Sequence, residues 1–235
     1  MEAVIPMDTD PAPSDIALLR LMQLASPTLP VGAYSYSQGL EFAVESGWVA
    51  DEATACEWLL GLLRHPLCYL DVPVLARLYR AWEIDDRPAV AYWNARLYAA
   101  RESGELQRED HHLGTALARL LTDLGLSEAK PWRTAPRTCF ATLFSLAAVA
   151  WSIALKEAIM GYLWTWSENQ VAATIKLVPL GQTAGQRILS RALPEIATVT
   201  QRGLGLEDDE IGCAAAGLGI ATALHETQYS RLFRS

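Results

Sequence analysis

Apolar residues in this chain recur at three- and four-residue spacing and almost never alternate. Leu113, Leu117, Leu120, Leu121 and Leu124 repeat in this way and stop at Gly125; Val90, Trp93 and Leu97, with Arg101 on the same stripe, follow Pro88. Side chains so spaced share one face of an α-helix, whereas a half-buried strand needs a period of two. The pattern excludes a sheet-built fold and predicts an all-α protein. With 235 residues and 51% hydrophobic content, one large core can be buried. The expected architecture is a single compact helical domain of roughly ten helices over residues 15–224. A mobile leader of Pro and Asp residues, 1–14, precedes it, and a tail, 225–235, follows.

Breakers and caps place the helices more closely. A first helix carries Ile16, Leu19 and Leu24 and ends where Pro27, Pro30 and Gly32 forbid continuation. Asp51 suits the N-cap of a helix reaching Leu63, and Asp71 suits another, with Pro73 in the first turn. Gly125 is a C-terminal stop. One long apolar helix is expected over roughly 138–167, after Pro131 and Pro136. Helices near 183–200 and 208–226 complete the chain, the acidic run Asp208, Asp209, Glu210 standing at the start of the last one.

Several function classes are excluded. Net charge is −8, opposite to the basic face that nucleic acid requires. Cys56, Cys68, Cys139 and Cys213 are too scattered for a zinc ribbon or a redox pair, and read as buried inert thiols. The first residues lack a cationic, then apolar, secretory signal, so the cytoplasm is expected. Eighteen uncharged residues, Thr138–Leu155, reach the lower limit of a membrane span, but their Ala, Ser and Thr content and the following Lys156 and Glu157 indicate a buried core helix. No phosphate loop, dinucleotide fingerprint or nucleophile elbow is present, so no catalytic residue is assigned. His111 and His112, beside Glu109 and Asp110, are adjacent and point about 100° apart on a helix, so they do not chelate one ion. That run reads as a solvated helix face, and no metal ligand is assigned.

Three segments carry more polar and aromatic character than a core needs. Residues 225–235, HETQYSRLFRS, pack Tyr229, Leu232 and Phe233 among Arg231 and Arg234, the composition of interface anchors. His225, Glu226, Gln228 and Ser230 complete this candidate partner-binding segment. The loop SPTLPVGAYSYSQGLE, residues 26–41, brings Tyr34, Ser35, Tyr36, Gln38 and Glu41, and a long loop of this kind is more often functional than idle. The run from Tyr162 to Arg187 adds Glu168, Asn169, Gln170, Lys176, Gln182 and Gln186. Amides and charges there form either a structural network or the wall of a channel or interface.

These motifs, with GWV at Gly47 and WNARLYAARES over Trp93–Ser103, resemble in content and order the urease accessory protein family UreF. The resemblance spans about residues 18–235. The chain departs from the family pattern in the more polar SGELQRED run (Ser103–Asp110) and in lacking a glycine near the end of Phe140–Trp151. The resemblance implies an all-helical homodimer without catalysis of its own or a tightly bound cofactor. It implies partnership with UreD (also called UreH) and the GTPase UreG in delivering nickel to apo-urease, nickel being cargo in transit. The alternative is a pure regulator of UreG GTPase activity without a nickel path. On this reading the tail is partly mobile in the free chain and orders on UreD. Tyr229, Leu232 and Phe233 then anchor it, and Arg231 and Arg234 help to form the face for UreG. Glu168, Asn169, Gln170 and Gln182 are the expected wet path, and residues 26–41 and Lys176–Gln182 lie near interfaces.

Overall fold

The computed structural model describes residues 13–235, and among these every regular element is helical. The expected leader lies outside the described residues except for its last two positions. The elements are α1 (Pro13–Leu24), α2 (Leu40–Glu45), α3 (Glu52–Leu62), α4 (Val72–Glu83), α5 (Arg87–Ala99), α6 (Gly104–Asp123), α7 (Phe140–Ala150), α8 (Leu155–Leu177), α9 (Gln182–Leu204) and α10 (Ala216–His225). Short 3₁₀ turns occupy Ala33–Ser35 and Ser127–Arg133.

Helix α3 and helix α4 form one rod. A π-helical stretch, Leu63–Asp71, joins them with Pro66 inside it. A proline in an α-helix loses its N–H bond and clashes with the carbonyl four residues back, and the wider π turn accommodates both defects. The expected break before Asp71 is therefore absent. Asp71 caps nothing; its carboxylate is buried and turned to Arg101. The rod is the one described helix long and apolar enough to cross a membrane, and 72% of its apolar window is buried inside the protein. Helix α7 packs against α4, helix α9 against α3 and the π stretch, and helix α8 against α9. Helices α5 and α6 close one flank, while α10 lies on α2 and α6.

Local chemistry fixes most boundaries. Asp51 caps α3 in a reciprocal capping box with Thr54, as the sequence predicts. Asp86 caps α5 just before Pro88. Gly125 ends α6 at φ 95°, with Leu126 N–H donating to the Leu121 carbonyl at 2.9 Å.

The predicted helix over 138–167 is two helices. Helix α7 stops at Ala150, where Ser152 takes φ 55°. The Ser152 N–H bonds Val149 O at 3.1 Å and the Ile153 N–H bonds Ala148 O at 2.9 Å, which closes a Schellman end. Ser152, just past the stretch near whose end a glycine was expected, adopts the glycine conformation. The apolar stretch is thus an 11-residue helix, roughly 16 Å long, well short of a membrane span. The last helix also begins later than expected, at Ala216; Asp208–Glu210 form a turn ahead of it, and Asp208 pairs with Arg77.

Candidate functional site

Residues 225–235 are folded onto the body. The backbone oxygen of Ser235 accepts from Ser37 N–H (2.5 Å), Gln38 N–H (3.0 Å) and the Ser37 hydroxyl (2.6 Å). Gln38 and Gly39 take φ 53° and 76°, so consecutive N–H groups of the loop converge on that oxygen. Glycine at 39 has a second cause: a Cβ there would come within 3.0 Å of Ala221 and Thr222 on α10. Arg234 N–H donates to the Ser35 carbonyl at 2.8 Å.

Three buried glutamates hold the rest of the segment. Glu41 accepts from Leu232 N–H (2.6 Å) and Phe233 N–H (2.9 Å), and lies 3.2 Å from His225 Nε2. Glu105 faces His225 Nδ1 at 3.0 Å and Arg231 at 3.3 Å. Glu109 accepts from the Ser235 hydroxyl at 2.6 Å and from Gln38 Nε2 at 2.7 Å. Burial pushes the Glu109 carboxyl up to about 7, with the bonds from Ser235 and Gln38 opposing only in part.

A second ionic cluster lies beneath. Arg101 grips Asp71 through both terminal nitrogens (2.8 and 3.1 Å) and Asp110 through Nε (2.8 Å). Tyr162 donates to Asp71 at 3.0 Å and Phe140 N–H to Asp110 at 2.6 Å. Burial alone would weaken the Arg101 charge, but Asp110 and Asp71 overcome it and hold the guanidinium protonated far beyond its ordinary range. These groups border an internal cavity of about 110 Å³, whose wall also includes Gln38, Pro66, Glu102, Trp166, Asn169 and Gln170. Gln170 Oε1 is buried there without a hydrogen-bond partner among the described residues. The π turn that accommodates Pro66 thus forms one side of a mostly apolar cavity into which the ionic cluster and the two amides face.

The family model UreF matches residues 49–193 of the chain. Curated proteins named urease accessory protein UreF match over nearly the whole length. The one from Alkalilimnicola ehrlichii is 54% identical over 97% of this chain and 100% of its own. The one from Chromohalobacter salexigens is 46% identical over the same shares, and the one from Teredinibacter turnerae 48% over 93% and 98%. The chain belongs to the UreF family.

The structure gathers part of the predicted set around the docked segment and its cavity. Tyr36 and Glu41 are buried, Gln38 joins Glu109 to Trp166, and Tyr162, Asn169 and Gln170 line the cavity. Lys176 lies over the Phe233 ring at 5.5 Å. Tyr34 is exposed and Ser35 contributes only its carbonyl. The expected wet path is divided: Glu168 lines a different, apolar groove between α1 and α9, and Gln182 and Gln186 are exposed on the first turns of α9. Within the tail, Tyr229, Ser230, Arg231, Leu232 and Arg234 are exposed, and Gln228 is half-buried. Glu226 pairs with Arg108 on the surface. His225, Phe233 and Ser235 are buried, so Phe233 fills the body and is not an outward anchor.

Sequence reasoning missed Arg101, Asp71, Glu105, Glu109 and Asp110 as members of the site. The run Glu109–His112 is not a solvated face: both acids are buried, and His111 accepts from Thr138 N–H at 3.2 Å. A signal was present. Leu106, Asp110, Leu113, Leu117 and Leu121 form one continuous stripe of α6, so an acid sits on the core face. Among the described residues no group of three or more His, Cys, Asp or Glu side chains is placed to hold a metal ion.

Proposed function

We propose that this chain is a non-catalytic assembly factor of urease maturation, joining UreD (UreH) and the GTPase UreG while nickel passes to apo-urease. The observation that carries this reading is the near full-length identity to proteins named urease accessory protein UreF. The surface supports it: Ile220, Leu224, Tyr229 and Leu232 are four large apolar side chains left exposed between residues 220 and 232. Aromatic and apolar side chains held by an ordered backbone bind with little ordering cost. The cavity beside Asn169 and Gln170 offers neutral amide oxygens, among them the unpartnered Gln170 Oε1, suited to a cargo ion that must not be trapped.

The double variant Tyr229→Ala/Leu232→Ala is the cleanest test, because neither side chain contributes to the core. It is expected to lose co-purification with UreD while its circular dichroism is unchanged. Normal recovery with UreD overturns this assignment of the surface. Gln170→Leu is expected to lower urease activation with the complex intact, and unaltered activation overturns the route through this cavity. GTP turnover by UreG, measured with and without the chain in the same mixture, separates the scaffold from the pure regulator.

A further inference from the structure

His225 has no exposed surface, and each of its ring nitrogens faces a carboxylate oxygen, Nδ1 toward Glu105 at 3.0 Å and Nε2 toward Glu41 at 3.2 Å. An ionised carboxylate only accepts, and a neutral imidazole has one N–H and one lone pair. A neutral ring between two ionised glutamates therefore aims a lone pair at a negative oxygen where water does not intervene. One proton removes the conflict, whether it sits on the ring or on either carboxyl. The same two glutamates hold the downstream segment, through Leu232 N–H, Phe233 N–H and Arg231.

We infer that residues 225–235 are a proton-dependent latch, closed while His225, Glu41 and Glu105 share one proton and released when it is lost. This is a property of the chain by itself and holds whatever the segment binds.

The surrounding charges do not substitute for that proton. Helix α2 supplies Glu41; helix α6 supplies Glu105, Glu109 and Arg108, the last engaged by Glu226 on the surface. Helix α8 supplies Lys176, exposed and seated over Phe233. The segment's own cations are Arg231, whose side chain is 40% exposed and 3.3 Å from Glu105, and Arg234, also exposed. Solvent screens both. Glu109, whose carboxyl burial raises to about 7, accepts the Ser235 hydroxyl most strongly when ionised, so its own proton loss does not open that contact.

Hydrogen exchange at the Leu232 and Phe233 amides, corrected for the intrinsic pH dependence, reads the latch directly. In the full chain their protection is expected to fall roughly tenfold or more as the pH is raised while the fold persists, and Leu121 in the core stays protected. Constant protection at Leu232 and Phe233, or an equal fall at Leu121, overturns the proposal. Glu105→Gln lets a neutral ring be satisfied on both sides and is expected to flatten the dependence; Glu109→Gln is expected to keep it. The opposite pattern places the proton on Glu109 and overturns the assignment. Should Glu105→Gln not fold, the ring ¹⁵N shifts of His225 decide. Proton loss from the site is expected over the same pH range as the loss of protection, and titration in a separate range overturns the proposal.

Discussion

Replacing Arg101 with methionine tests the buried ionic cluster most severely. The guanidinium makes two bonds to Asp71 and one to Asp110, at 2.8 to 3.1 Å, and both carboxylates are almost fully buried. Methionine approximates its volume but donates nothing. Asp71 then keeps only the Tyr162 hydroxyl and Asp110 only the Phe140 N–H. Breaking a buried pair from one side costs about 3–5 kcal/mol, because a charge is left alone in a poor solvent. Proton uptake sets a ceiling for each of the two stranded carboxylates. Escape by taking up a proton costs about 4 kcal/mol apiece at pH 7 for an acid of ordinary value near 3.9. That ceiling falls by about 1.4 kcal/mol for each unit of acidification, to roughly 1.5 kcal/mol at pH 5. Urea denaturation followed by circular dichroism at the two pH values measures it. Arg101→Met is expected to lose about 4 kcal/mol at pH 7 and distinctly less at pH 5. A loss below about 1 kcal/mol at pH 7, or an equal loss at both, refutes the reasoning.

Three further outcomes follow from the backbone and from Glu109. Gly114→Ala is expected to destabilise by about 2 kcal/mol or more in thermal melts, since the new Cβ would fall 2.3 Å from the Thr138 carbonyl oxygen and the backbone must move. Ser152→Gly is expected to stabilise by about 1 kcal/mol, because φ 55° is strained for serine and free for glycine; an unchanged melting temperature counts against the Schellman end. Glu109→Gln is expected to flatten stability against pH. Its folded value near 7 exceeds the ordinary 4.5, so the wild-type contribution is complete below about pH 4.5 and is lost as pH rises through about 7. The variant gains at most about 3 kcal/mol relative to wild type at pH 8, and parallel stability curves refute the raised value.

The helical class and most helix ends were legible because they depend on local chemistry. Asp51, Pro88 and Gly125 act on their own turns and needed no tertiary information. Two boundaries misled for opposite reasons. Asp71 and Pro73 read as the start of a new helix after an end at Leu63, but a π turn around Pro66 carries the rod through without a break. Thr138–Leu155 reads as one helix, but a serine in the left-handed region ends it without a glycine or proline to announce it. For the candidate site, the sequence singled out segments that meet in the structure but not the side chains that hold them together. Glu41, Gln38 and the 225–235 residues stand out by composition. Their counterparts on α6 are hidden in a run whose charge suggests solvent.

That run is the hub of the site. Glu102 accepts the Ala215 N–H at the start of α10, Glu105 holds His225 and Arg231, Glu109 holds Ser235 and Gln38, and Asp110 holds Arg101 and Phe140 N–H. The first turns of α6 and the bend just before them therefore position the last helix, the folded-back segment, the loop after α1 and the base of α7. Stability alone does not require this arrangement, because well-packed apolar residues often replace buried ion pairs without loss. Apolar packing, though, cannot be undone by one proton or one displacing cation, whereas a segment held by carboxylates can. An ionic hub that holds residues 225–235 against the body is therefore one that a proton or a cation can open, which is what the proposed latch requires.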